Sequence, residues 1–182
     1  MCGRYFIRDD EEDFAVLYAM EKLNRKFSGD ITPGSDAPVI TGKGCAQVRW
    51  GVKGRAGLII NARSETSHEK RLFSSGRELL LPASGFYEWN RSGTRYVCIP
   101  PKGMYMAGLL LNVPEGERFV VLTRPSAGKM DSVHDRMPVF IPKDCCRTWL
   151  SGGNEATGLL GELAPADILP IPDEPEQISM FS

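Results

Sequence analysis

Apolar residues along this chain fall mostly in short runs, cut by Gly, Pro and polar clusters. Such runs read as strands: Pro38 to Ile40, Gln47 to Val52, Leu58 to Asn61, Leu79 to Leu81 and Gly85 to Trp89. Tyr96 to Ile99, Met104 to Leu110, Phe119 to Thr123 and Pro138 to Ile141 continue the series. "NRSG", between Trp89 and Thr94, predicts a hairpin turn. Helical periodicity is confined to the ends of the chain. Asp9 to Phe27 has acidic residues at its start, where the helix dipole favours them, and Phe14, Leu17, Tyr18 and Glu21 at helical spacing. "KDCCRTWL" after Pro142 and Asn154 to Leu163 predict two later helices, and "GDITPGSDAP" predicts a loop. Many short strands with few helices predict an α+β class: one β-rich, barrel-like curved sheet with flanking helices. The whole of 1–182 reads as a single domain, with 165–182 its Pro-rich, acidic tail.

Composition narrows the function classes. The chain has 182 residues, 42% of them hydrophobic, and a net charge of -1. It can bury a core, but it is no polycation, so any nucleic-acid site must be a local basic patch. No run approaches the roughly 18 apolar residues of a membrane span. The start, with "RDDEEDF", is too polar for a signal peptide. Cys2, Cys45, Cys98, Cys145 and Cys146 are odd in number, two are adjacent, and no CxxC pair occurs. With only His68 and His134 besides, neither a disulfide framework nor a structural zinc site is expected. The expectation is a reduced, cytoplasmic, monomeric protein without metal or cofactor.

Four polar residues stand at the edges of apolar runs. Cys2 follows the start methionine in "MCGRY"; if Met1 is removed, one residue carries both a free α-amine and a thiol. Asn61 ends the run in "GLIINARSET"; its bland reading is a cap, by Asn61 or Ser64, for a following helix. Glu88, in "PASGFYEW", shares the face of Phe86 on strand alternation, so it is either solvent-facing or a half-buried carboxyl with a raised pKa. His134, in "SVHDRMPVF", sits in a polar loop before a strand, where a surface histidine is the ordinary reading. Singly each is weak, but together they are spread as a site assembled by folding is.

"MCGRY", "NARSET", "PASGFYEW" and "HDRMP" occur in this order over nearly the whole chain, and by them it resembles the SRAP domain family, the SOS-response-associated peptidases. The resemblance implies a β-rich, barrel-like fold and a covalent sensor of abasic sites in single-stranded DNA. The N-terminal cysteine would join the damaged sugar in a thiazolidine ring, shielding the lesion. By matching motif, the catalytic residues would be Cys2, Asn61, Glu88 and His134. Arg4, Arg63 and Arg136 lie within motifs and would clamp phosphates, since a guanidinium forks onto their oxygens. Arg49, Lys53 and Arg55 could extend the groove. Trp50, in "VRWG", would stack on a base, its alternative being a core aromatic. Pro33, in "TPG", resembles the family's loop proline near the DNA. When bound, the protein would associate with the nucleoid. Two departures stand out: Asp30 precedes "ITP" where relatives often have Asn, and the chain lacks their longer Asn-containing segment after the His motif.

The residue types suit that chemistry. A neutral amine attacks the ring-opened aldehyde and gives a Schiff base. An α-amine titrates near 8, so a useful fraction is neutral, unlike lysine. The thiol of the same residue then closes the ring intramolecularly. Glu88 would move protons, His134 would bond the sugar oxygen or act as acid, and Asn61 would orient the amine or a hydroxyl. Two other classes remain open. The same groups could form an autoprocessing peptidase or amidohydrolase cutting a peptide bond, such as Met1–Cys2. Alternatively, Cys2 is structural in a reversible DNA-binding module.

Overall fold

The structure is a computed structural model and describes residues 2–8 and 14–173. Its strands are β1 (Tyr5–Ile7), β2 (Gly29–Ile31), β3 (Asp36–Thr41), β4 (Gly44–Trp50), β5 (Val52–Gly54), β6 (Gly57–Ile59), β7 (Asn61–Arg63) and β8 (Arg77–Leu81). They continue with β9 (Gly85–Trp89), β10 (Arg95–Ile99), β11 (Met104–Val113), β12 (Gly116–Pro125), β13 (Arg136–Pro138), β14 (Phe140–Pro142) and β15 (Leu169–Pro172). The α-helices are α1 (Phe14–Leu23), α2 (Cys146–Ser151) and α3 (Gly153–Glu162).

The pairing runs in a circuit. β4 pairs with β3, β3 with β8, β8 with β11 and β11 with β12, all antiparallel; β12 returns to β4 in parallel. This closes a barrel. β7 joins β12 in parallel, β13 joins β12 and β14 joins β11. A second sheet has the order β15-β10-β9-β1-β2, antiparallel throughout. The α+β, barrel-like expectation is met.

The barrel strands read as continuous apolar runs because both faces are covered. Leu79, Leu81, Phe119 and Val121 face a core shared with Tyr5, Phe86 and Cys98 of the second sheet. Leu80, Val120 and Leu122 face the opposite way, into a core closed by Trp149 of α2 and Ala156 of α3. Gly85 lets β9 sit tightly in its sheet. A Cβ there would lie 2.5 Å from the Phe6 ring and 2.8 Å from the Cys98 carbonyl oxygen.

Several local expectations needed correction. "GDITPGSDAP" is not all loop: Gly29–Ile31 pairs with β1, and Asp36 begins β3. Pairing with a distant strand overrides local turn chemistry there. Of the first helix, Phe14–Leu23 is observed, while residues 9–13 lie outside the described residues. Ala19 is buried and Leu17 is half exposed, so the buried stripe is turned from the one expected. The first part of the Pro-rich tail is extended: Leu169–Pro172 pairs with β10, and residues 174–182 lie outside the described residues. "NRSG" is the hairpin turn between β9 and β10. It is closed by the Asn90 N–H on the Thr94 carbonyl at 3.0 Å, with the Asn90 Oδ1 accepting from Ser92 and Thr94.

Candidate active site

Three chain segments meet around Cys2. Gly3 and Arg4 lead from it into β1, whose Tyr5 pairs with Phe86 of β9. The pairing runs on past β1, with the Tyr87 N–H on the Arg4 carbonyl at 2.9 Å. This brings the start of the chain beside Glu88. From the other side comes Asn61, the first residue of β7, whose Nδ2 donates to the Cys2 carbonyl at 2.9 Å. Asn61 is held there because β7 lies on β12, with Asn61 opposite Val121. The Asn61 side chain therefore does not cap a helix. The 3-10 turn Ser67–Glu69 that follows has no side-chain cap.

Solvent has little access to the Cys2 and Glu88 side chains. Cys2 is fully buried and Glu88 is 4% exposed. Burial pushes the Cys2 thiol far above its ordinary range, and the Glu88 charge pushes it further. The thiol is kept as S–H, its sulfur 3.9 Å from the Arg4 carbonyl oxygen. The Glu88 Oε1 accepts from the Trp89 N–H at 3.3 Å.

A cleft of about 720 Å³ opens between the β9–β10 turn, Trp89 to Ser92, and the segment Asp131 to Asp135. His134 lines it. The imidazole is held through Nδ1, which lies 3.0 Å from the Arg136 backbone N–H and 2.7 Å from the Asp135 Oδ1. Cys2 and Glu88 are buried with the half-buried Asn61 on the Cys2 carbonyl, while His134 lines the cleft whose wall includes Trp89, the chain neighbour of Glu88.

The basic residues divide. Arg63 is exposed at the end of β7. Arg4 is partly exposed, 3.4 Å from the Asp30 Oδ2, and the Tyr87 hydroxyl donates to the other oxygen of Asp30. Asp30, the departure noted in the sequence, is thus an ion-pair partner of Arg4. Pro33 is half-buried in a turn hung on the barrel, where the Gly34 N–H donates to the Trp50 carbonyl. Arg49 pairs with Asp36 at 3.4 Å, while Lys53 and Arg118 share a smaller cleft with Arg49 and Gly34.

Two expected DNA contacts are corrected. Trp50 is a core residue, 0% exposed. Its ring packs on Phe119 and Tyr5, and its indole N–H donates to the Ile60 carbonyl at 2.9 Å. It has no face left for a base. Arg136 is not a free clamp, for its side chain is 10% exposed and forks onto both carboxylate oxygens of Glu65. The pair is neutral as a unit, which removes most of the pull on a phosphate.

Three further groups at the site were not singled out from sequence. Cys98 is buried, and its thiol is pushed up to about 12 by burial and by Glu88. Its register explains this: Cys98 faces Phe86, two residues from Glu88 on the same face of β9. The buried Tyr5 hydroxyl has no hydrogen-bond partner among the described residues. Glu65 anchors Arg136. Strand alternation could have flagged Cys98 and Tyr5; nothing local marks Glu65.

Residues 1–170 match the sequence model of the family described as SOS response associated peptidase (SRAP), a span that takes in Cys2, Asn61, Glu88 and His134. The chain belongs to the SRAP family. Among curated SRAP relatives, abasic site processing protein YoqW of Bacillus subtilis is 26% identical, over 85% of this chain and 82% of its own. Abasic site processing protein YedK of Escherichia coli is 25% identical, over 93% and 88%. A solved structure, that of a phage-related protein from Bordetella bronchiseptica, superposes with a TM-score of 0.72 at 25% identity, covering 93% of this chain and 94% of its own. Abasic-site processing is thus the activity for which the matched SRAP relatives are named. No helix among the described residues is long and apolar enough to cross a membrane.

Proposed function

We propose that this SRAP protein captures abasic sites in single-stranded DNA by forming a thiazolidine with Cys2 once Met1 is gone. The observation that carries the proposal is the clamp on Cys2. Its carbonyl is fixed by Asn61, and Glu88 lies near enough to its thiol for its charge to act on it. The names of the relatives support the lesion.

The steps balance without a further reactant. The neutral α-amine of Cys2 attacks C1′ of the ring-opened sugar, and the N–C bond forms. Glu88 or His134 protonates the departing hydroxyl, and one water leaves to give the imine. The Cys2 sulfur then adds to the imine carbon while its proton passes to nitrogen, closing the five-membered ring. Because burial holds the thiol protonated, Glu88 takes the S–H proton as the sulfur adds and returns it to nitrogen. Asn61 anchors the backbone, so amine and thiol meet one carbon without a search. Arg63 and Arg4 supply phosphate contacts, Pro33 borders the groove, and Trp89, 39% exposed in the cleft, offers a stacking face in place of Trp50.

The peptidase alternative has less support. Asn61 donates to the Cys2 carbonyl, so it polarises the Cys2–Gly3 bond, whereas self-removal of Met1 must cut the bond before Cys2.

Incubation of Met1-free protein with an abasic oligonucleotide tests the reading. An SDS-resistant adduct, with the summed mass of both less one water, is expected. Reversible binding without an adduct would overturn it, and peptide turnover without an adduct would favour the peptidase.

A further inference from the structure

We infer that Glu65 is a positioning residue for this reaction, acting through Arg136 to set the imidazole of His134. The inference rests on the proposed abasic-site chemistry.

β12 lies between β7 and β13. Asn61 opens β7 on one side, and His134 precedes β13 on the other. A single side chain spans the middle strand. Arg136, the first residue of β13, sends its guanidinium across Thr123 of β12 to Glu65, two residues past β7. Nη1 donates to the Glu65 Oε1 at 2.5 Å and Nη2 to Oε2 at 2.9 Å. Nη2 also donates to the Thr123 carbonyl at 2.6 Å, and the same carbonyl accepts from the Ser64 N–H at 2.8 Å. Thr123 is 1% exposed, so the crossing point is fixed in the core. A forked carboxylate holds a guanidinium in both angle and distance, which a single hydrogen bond does not.

The same Arg136 meets His134 through its backbone, its N–H lying 3.0 Å from Nδ1. Nδ1 is also 2.7 Å from the Asp135 Oδ1, and only one of these can be a hydrogen bond at a time. An unprotonated Nδ1 accepts from Arg136 and leaves the ring proton on Nε2. A protonated Nδ1 donates to Asp135. Holding the Arg136 backbone in place favours the first arrangement, in which Nε2–H can donate to a substrate oxygen. Glu65 is the outer anchor of that hold. This gives the glutamate of "NARSET" and the arginine of "HDRMP" a shared task that neither motif displays alone.

The test uses Met1-free protein, an abasic oligonucleotide at saturating concentration, and Glu65→Ala and Glu65→Gln. Glu65→Ala should slow adduct formation on the order of 10- to 100-fold, as small misplacements of a reacting group do. Its affinity for the undamaged oligonucleotide should not fall. Glu65→Gln, which keeps one acceptor for Arg136, should recover part of the rate. In a His134→Ala background, Glu65→Ala should slow the reaction no further, because its effect runs through His134. An equal slowing in that background, or none in the parent, would overturn the inference.

A readout without DNA separates this inference from the proposed function. The chain has two histidines, so their ring nitrogens are resolved by proton–nitrogen correlation spectra. Glu65→Ala should move the Nδ1 resonance of His134 and leave the exposed His68 unchanged. An unmoved His134 resonance sinks the inference even if adducts form. No adduct from the parent protein, with His134 moved, would sink the proposed function and leave the Glu65–His134 coupling standing.

Discussion

The Asn61 side chain donates to the Cys2 carbonyl at 2.9 Å, joining residues 59 apart in sequence. One hydrogen bond thus ties the start of the chain to the barrel. Asn61→Ala should slow adduct formation about tenfold or more, with little change in affinity for undamaged single strands. Asn61→Asp should be worse, since it loses the donor and adds a second negative charge near Glu88. Single-turnover rates at saturating abasic DNA check both, and an unaltered rate for Asn61→Ala would show that Cys2 needs no anchor.

The thiol and the amine of Cys2 have separable tasks. Cys2→Ala without Met1 keeps the amine, so an imine should still form and be trapped by borohydride. The adduct that survives SDS without reduction should vanish. Retaining Met1 should abolish both products, because an amide nitrogen is not nucleophilic. Intact-mass analysis of the three forms after incubation distinguishes them. A stable adduct from the Met1-retained form, at the rate of the processed form, would mean that thiol chemistry alone suffices.

Arg63 and Trp50 should respond in opposite ways. Arg63→Ala leaves the fold intact and should reduce the salt slope of single-strand binding by about 0.7. Trp50→Ala removes a buried indole from between Phe119 and Tyr5 and should cost roughly 3–5 kcal/mol of stability. Salt titrations and thermal melts report the two effects separately. Loss of base stacking by a fully folded Trp50→Ala protein would contradict its burial.

Acid should expose the Glu65–Arg136 pair. The guanidinium lowers the Glu65 carboxyl from its ordinary 4.5 to about 2. A depressed carboxylate contributes stability that is fully present above its unfolded pKa and lost as pH falls through the folded one. The parent should therefore lose stability between about pH 4.5 and 2. Glu65→Gln should lose less over that window. Melting temperature against pH checks this, and parallel curves for the two proteins would count against the pair.

Local patterning by itself determined the strands that are buried on both faces, the hairpin at "NRSG" and the class of the fold. Those features depend on runs and turns a few residues long, which a linear reading displays. Four separated motifs also put forward Cys2, Asn61, Glu88 and His134 as candidates. Only the tertiary structure decided that Asn61 donates to the Cys2 carbonyl, that Cys98 lies near Glu88, and that Asp30 engages Arg4. It also turned Trp50 into a core residue and Arg136 into a strut on Glu65. An aromatic or a guanidinium looks the same in sequence whether it meets DNA or its own fold. The choice is made by what lies across neighbouring strands, Phe119 beside Trp50 and Glu65 beyond Thr123, and strand pairing between distant segments is what sets those neighbours.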